Sequence, residues 1–155
     1  MSCFFVFLIS TPAIAEETYN ELPMDKVYQG PIHYPDFNGR EKNIADYSVK
    51  IIDEMGSGPN FAGHFTIVEL GCGTDCRFAF IADLATGKVY DFPYGGEVFN
   101  ALSLDYKVKS NELTVRWATT ADPAADRLCV IQNLEWNGEK FLINGTSSIE
   151  KDTCG

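Results

Sequence analysis

Gly56-Ser57-Gly58-Pro59-Asn60-Phe61-Ala62-Gly63-His64 runs directly into Phe65-Thr66-Ile67-Val68-Glu69-Leu70, then Gly71-Cys72-Gly73-Thr74-Asp75-Cys76, then Arg77-Phe78-Ala79-Phe80-Ile81-Ala82-Asp83. Turn-forming residues close the segment before Asn60, and the segments after His64 read as strands. Phe65–Leu70 predicts a strand with Thr66, Val68 and Leu70 on one face. Arg77–Asp83 is nearly continuous apolar, the pattern of a strand covered on both faces. Ala85-Thr86-Gly87 turns it into Lys88–Phe92, which makes a hairpin.

Downstream, residues 93 to 96 break the pattern, and Ala101–Val108 and Glu112–Thr119 predict two strands around Ser110-Asn111. In the second, Leu113, Val115 and Trp117 alternate with Glu112, Thr114 and Arg116, so one face is wet. A loop through Asp122-Pro123 leads to a strand over Leu128–Trp136. Asn137-Gly138 then predicts a two-residue turn into Glu139–Ile143. Nothing recurs at a fixed period, which excludes a repeat architecture. Trp117, Trp136, Tyr90, Tyr94 and Phe99 read as core and hairpin packing.

Upstream, residues 16–43 contain Pro23, Gly30, Pro31, Pro35 and Gly39 and read as an irregular arm with a short strand near Val27–Tyr28. Over residues 44–55, Ile44, Tyr47, Ile51 and Met55 recur at helical spacing, against a strand-like alternation of Tyr47, Val49 and Ile51. Helix is the preferred reading, with Asn43 at its start and Gly56 at its end. The expected fold is α+β: a mainly antiparallel β-sheet of about six to eight strands with one helix near residues 44–55. Residues 44–155 form a single globular domain, stapled by disulfides.

The first fifteen residues have the form of an export signal: an apolar block from Phe4 to Ile9, the breaker Ser10-Thr11-Pro12, and Ala13-Ile14-Ala15 at the cleavage position. The block is far shorter than the ~20 apolar residues that span a bilayer. No Lys or Arg precedes it, so the translation start is expected upstream of Met1. Cleavage after Ala15 leaves no lipobox cysteine, hence no stable membrane anchor, and a periplasmic or secreted location. With 22 Asp and Glu against 12 Lys and Arg, the net charge is −10. That field repels phosphate backbones and anionic lipid, which argues against nucleic acid and membrane as partners. It suits a cationic envelope protein, or serves solubility alone.

Cys3 leaves with the signal, and Cys72, Cys76, Cys129 and Cys154 remain. An even count in an exported chain reads as two disulfides. Of the three pairings, Cys72–Cys76 and Cys129–Cys154 are favoured: glycines let the first close a small ring, and the second ties the tail to a strand. The chain-entropy relation gives ~2 kcal/mol for the small ring and ~3 kcal/mol for the tail loop.

Gly71-Cys72-Gly73-Thr74-Asp75-Cys76 is not a dinucleotide loop, since a strand and not a helix comes after it. His64 is the best single candidate for chemistry, with Glu69 or Asp75 as partner for general-base work. Against that stands a packed ring, hydrogen-bonded within the Gly63–Asp75 region. Asn60, Phe61, Gly63, Gly71 and Gly73 are either turn residues or parts of a binding motif. Thiol exchange or zinc binding at Cys72 and Cys76, with His64, Asp75 or Glu69 completing a metal set, fits neither the redox nor the zinc spacings well. The preferred reading has no metal and no cofactor. Asp122 and Asp126 fit no calcium loop, and His33 reads as a surface residue.

The blocks Gly58-Pro59-Asn60-Phe61-Ala62-Gly63-His64-Phe65 and Gly71-Cys72-Gly73-Thr74-Asp75-Cys76 resemble a family of small exported bacterial proteins with no assigned activity. Asp83-Leu84-Ala85-Thr86-Gly87-Lys88-Val89-Tyr90 and Trp136-Asn137-Gly138 extend the resemblance over residues 45 to 143. It implies export and the domain limits, and no chemistry. Three functions therefore compete. The preferred one is a non-enzymatic binding or inhibitor protein, for example against a cationic hydrolase such as a lysozyme. The alternatives are a small envelope enzyme using His64, and a redox or metal site at Cys72 and Cys76.

Overall fold

The computed structural model describes residues 26–119, 128–151 and 154. Within them lie a 3-10 turn at Lys42–Tyr47, helix α1 (Ser48–Gly56) and eight strands. The strands are β1 (Phe65–Gly73), β2 (Cys76–Asp83), β3 (Val89–Asp91), β4 (Asn100–Tyr106), β5 (Glu112–Thr119), β6 (Leu128–Trp136), β7 (Phe141–Ile143) and β8 (Ser148–Lys151). All pairings are antiparallel. One sheet has the order β1-β2-β3; the other has β4-β5-β6-β7, with β8 also pairing β6. This is the expected α+β architecture, its strands divided between two sheets.

The layering arises from β1 and β2, whose successive side chains point to opposite faces. Phe65, Ile67, Ala79 and Ile81 face a core shared with Leu102, Leu113, Val115, Leu134 and Trp136 of the second sheet. Val68, Phe80 and Ala82 face the other way, onto Ile44, Ile51 and Met55. The three-stranded sheet is thus a middle layer, with the helix on one side and the second sheet on the other. Burying a large apolar side chain stabilises by about 1.5–3 kcal/mol, so both faces of β1 and β2 gain from being covered. That is why their sequence is apolar at consecutive positions.

Helix α1 buries Ile51 and Met55, one turn apart, and exposes Val49 and Ile52. It starts differently from the expectation. Residues from Lys42 wind as a 3-10 turn, interrupted at Ile44 (φ −116°), and Asn43 caps nothing. Gly56 remains helical, and the left-handed turn falls at Gly58 (φ 91°). The arm has no strand at Val27–Tyr28. Instead Tyr28 N–H donates to Gly63 O (2.8 Å) and His33 N–H to Leu84 O (2.9 Å).

Strand ends also move. β1 runs on to Gly73 through an irregularity between Gly71 and Gly73, so the glycine–cysteine block is strand up to the turn. The β6–β7 turn falls one residue later than expected: Asn137 N–H donates to Lys140 O (3.2 Å), leaving Gly138 and Glu139 at its tip. β8 is an element the sequence pattern does not announce. It pairs Leu128 with Lys151 through Ile131 with Ser148, continuing the edge that β7 begins. Both expected disulfides are present. Cys72–Cys76 (Cα–Cα 5.0 Å) closes the β1–β2 turn, and Cys129–Cys154 (5.3 Å) joins the tail to β6. The signal segment with its cleavage point after Ala15, and the pair Asp122 and Asp126, lie outside the described residues.

Candidate functional site

The Asn60–Phe65 block is a tight turn. Phe61 N–H donates to Phe65 O and Phe65 N–H to Phe61 O, each at 3.0 Å, around Ala62-Gly63-His64. Ala62 (φ 43°) and Gly63 (φ 82°) are both left-handed, a conformation glycine adopts without a Cβ penalty. Other peptide groups of this turn bond to distant segments. Ala62 N–H donates to Ser110 O (3.1 Å), Gly63 N–H to Val108 O (2.6 Å), and His64 O accepts from Leu84 N–H (3.0 Å). The Asn60 carboxamide imitates a neighbouring strand: its Oδ1 accepts from Ile67 N–H (2.7 Å) and its Nδ2 donates to Ile67 O (3.1 Å). Thr66 Oγ1 donates to Gly58 O (2.9 Å). The block therefore ties the arm, β1, the β2–β3 turn and the β4–β5 loop together. Asn60, Phe61 and Gly63 each hold part of this architecture.

His64 is 5 % exposed, and its ring packs on Phe65 with centroids 4.1 Å apart. Neither ring nitrogen has a hydrogen-bond partner among the described residues, contrary to the expected bonded ring. The nearest acid is not Glu69 or Asp75. It is Asp83, whose Oδ1 lies 3.8 Å from His64 Nε2. The reason is register: Phe65 faces Asp83, whereas Gly71 faces Arg77. Glu69 is four residues along β1 from Phe65, roughly 13 Å at strand rise, and Asp75 sits in the turn at the far end. Burial pushes the His64 pKa down, and the Asp83 charge pulls part of the way back up. Asp83 is already committed, accepting from Ala85 N–H (2.8 Å) and Thr86 Oγ1 (2.7 Å).

At the other end of the hairpin, a cleft of about 590 Å³ opens between the β1–β2 turn and β4–β5. Gly71, Gly73, Asp75, Arg77, Arg116 and Cys154 are among the residues that line it. Beside it, Arg77 Nη1 lies 3.6 Å from Glu69 Oε2, and Tyr106 Oη donates to Glu69 Oε1 (3.2 Å). Burial first, and then the Glu69 charge and hydrogen bond, push the Tyr106 pKa up to about 12. Gly71, Gly73 and Asp75 of the expected site thus share a cleft, without His64. Sequence reasoning does not reach Arg77, Tyr106 and Arg116 as site residues. Strand alternation marks Arg116 only as wet, and nothing local shows what lies across from it.

A second, polar groove of about 360 Å³ lies along β4, β5 and β6, with Asp105, Lys107, Glu112, Thr114, Asn133 and Asn144 among the residues that line it. Glu112 stands directly opposite Glu135 on β6, an unfavourable pairing of like charges. Carboxamides offset it: Asn144 Nδ2 donates to Glu112 Oε1 (3.3 Å) and Asn111 Nδ2 to Glu135 Oε1 (3.2 Å). Among the described residues, no three His, Cys, Asp or Glu side chains are grouped to hold a metal ion. His64 and the Cys72–Cys76 ring lie at opposite ends of β1. No described helix is long and apolar enough to cross a membrane. Comparison with protein-family models, with curated proteins and with solved structures finds no match.

Proposed function

We propose that the chain is an exported, periplasmic binding protein without catalytic activity, which docks a cationic envelope protein such as a lysozyme-type hydrolase. The observation that supports this reading is the groove on the second sheet. Glu112 and Asp105 line it together with Lys107, and Glu135 stands opposite Glu112 at its edge, each glutamate bonded by a carboxamide. A lysine or arginine entering between the two carboxylates relieves their repulsion and gains charge-assisted hydrogen bonds. The net charge of −10 steers such a partner in. The test is capture from an envelope extract on the immobilised mature protein, at low and high salt. Basic proteins are expected to bind at low salt and to be lost at high salt. Replacing Glu112 and Glu135 together by Gln should weaken capture about tenfold or more. Capture indifferent to both salt and the double replacement would overturn the reading.

A second reading, a small envelope enzyme, draws on the approach of His64 Nε2 to Asp83. It requires the turn at Ala62–His64 to open, because a ring 5 % exposed cannot meet a substrate. Turnover that disappears in His64→Phe while the fold persists would favour it over docking.

A further inference from the structure

We propose that the cleft at the disulfide-closed end of the β1–β2 hairpin binds a small zwitterion, a short peptide with a free carboxylate. Arg116 and Arg77 take the carboxylate and Asp75 the ammonium end. Arg116 is half-buried, yet among the described residues it makes no hydrogen bond and no ion pair. A guanidinium carries five N–H donors, and at a half-buried position lining a cleft those that face it are open to a ligand. In a chain with 22 acids, a partner for it would be easy to supply, so a half-buried Arg without one stands out.

Arg77 lines the same cleft and has a single carboxylate, Glu69, at 3.6 Å, with its side chain 58 % exposed. Its remaining donors are free for a ligand. The cleft also contains one acid, Asp75, whose carboxylate has no hydrogen bond or ion pair among the described residues. Two cations and one anion, none of them fully matched among the described residues, are complemented by a ligand bearing both signs. Phosphate or sulfate would satisfy the arginines but meet Asp75 and the negative field of the chain.

The shape agrees. A volume of about 590 Å³ is within the range of small-ligand pockets and holds a di- or tripeptide. A Cβ added at Gly71 or Gly73 would meet nothing within 4 Å, so this wall is open backbone. The walls are also held in place. Asp75 (φ 54°) and Ala101 (φ 52°) are both left-handed without being glycine, and Ala101 N–H donates to Asp75 O (2.9 Å). Strain of this kind persists where surrounding structure enforces it. Cys76 and Cys154 both line the cleft, so each disulfide braces one side. Bracing before binding lowers the entropy lost on binding. The cleft adjoins the polar groove, Arg116 being two residues from Thr114 on β5, but a small ligand tests it separately from any protein partner.

The experiment is calorimetric titration of the full chain at low salt with trialanine, trialanine amide, N-acetyl-trialanine and inorganic phosphate. Trialanine is expected to bind, with the amide weaker by about tenfold or more because the guanidinium contact is lost. N-acetyl-trialanine should be weakened by a smaller factor, and Asp75→Asn should abolish the difference between it and trialanine. Arg116→Gln should weaken trialanine about tenfold, while Lys140→Gln, at the β6–β7 turn, should leave it unchanged. Should Arg116→Gln fail to fold, the ligand series on the parent decides the matter without it. No binding of trialanine at millimolar concentration overturns the proposal. So does equal binding of acid and amide, or phosphate binding as tightly as trialanine.

Discussion

At one end of the β1–β2 hairpin, Gly87, His64 and Asp83 are buried beneath the arm; at the other, Gly71, Gly73 and Asp75 are exposed. Both ends combine glycines, an acid and an unusual backbone, and in the sequence His64 is the best single candidate for chemistry, with Glu69 or Asp75 expected as its partner. The structure separates them by their surroundings. Around His64, the turn is bonded to the arm, to the β2–β3 turn and to the β4–β5 loop, and Asp83 serves its own turn. Around Asp75, two disulfides and the left-handed residues Asp75 and Ala101 border a cleft, and Asp75 and Arg116 have no side-chain partner among the described residues. Density of special residues therefore reports a demanding backbone. Function is better sought where polar groups remain unused.

The contrast is sharpest for glycine. At Gly87 (φ 71°) an added Cβ would lie 2.7 Å from Tyr34 O and 2.8 Å from His33 O, both backbone atoms of the arm. Left-handed strain and displacement of the arm together should make Gly87→Ala cost ~3–4 kcal/mol in urea unfolding. A loss under ~1 kcal/mol would mean that the arm does not hold that end.

Next in size are the staples. Cys129→Ser should lower the unfolding free energy by ~3 kcal/mol and Cys72→Ser by ~2 kcal/mol, in keeping with their loop lengths. The reverse order would show that the small ring, rather than the tail, governs the open end.

His64→Phe should change stability by no more than ~1 kcal/mol, because it keeps a packed ring and removes two unpaired nitrogens. It should also flatten the acid limb of the stability profile. The His64 pKa is lowered on folding, so below about pH 6.5 the unfolded chain takes up a proton that the folded chain resists. Stability is then lost as pH falls from there through the folded-state value. Urea midpoints at pH 7 and pH 5 for parent and variant measure this. An unchanged slope in the variant would remove His64 as its source.

The smallest effect is expected at Gly71→Ala, within about 0.5 kcal/mol, since nothing lies within 4 Å of the added Cβ. A large destabilisation there would erase the difference between the two ends.

Much of the fold is legible in the chain. Alternation along Glu112–Thr119 and the apolar run from Arg77 place β5 and β2 because burial acts residue by residue on a period of two. The helical spacing of Ile51 and Met55 places α1 for the same kind of reason. β8 escapes because Ser148-Ile149-Glu150-Lys151 carries one apolar residue and is a strand only through pairing with β6 beside a disulfide. The helix start escapes because Lys42–Tyr47 takes a 3-10 path that no capping residue announces.

The sequence by itself determined strand periodicity, the even cysteine count and the charge, since each depends on residue type and spacing along the chain; it favoured one of three cysteine pairings, and the structure selected it. Tertiary structure alone decided that His64 meets Asp83 instead of Glu69 or Asp75, and that Arg77 and Arg116 share a cleft. The first depends on antiparallel register, which sets Phe65 opposite Asp83, brings His64 next to that pair and sends Asp75 to the opposite end of the hairpin. The second depends on how two sheets pack, which brings β2 against β4 and its neighbour β5. Neither register nor packing is encoded at a fixed distance along the chain.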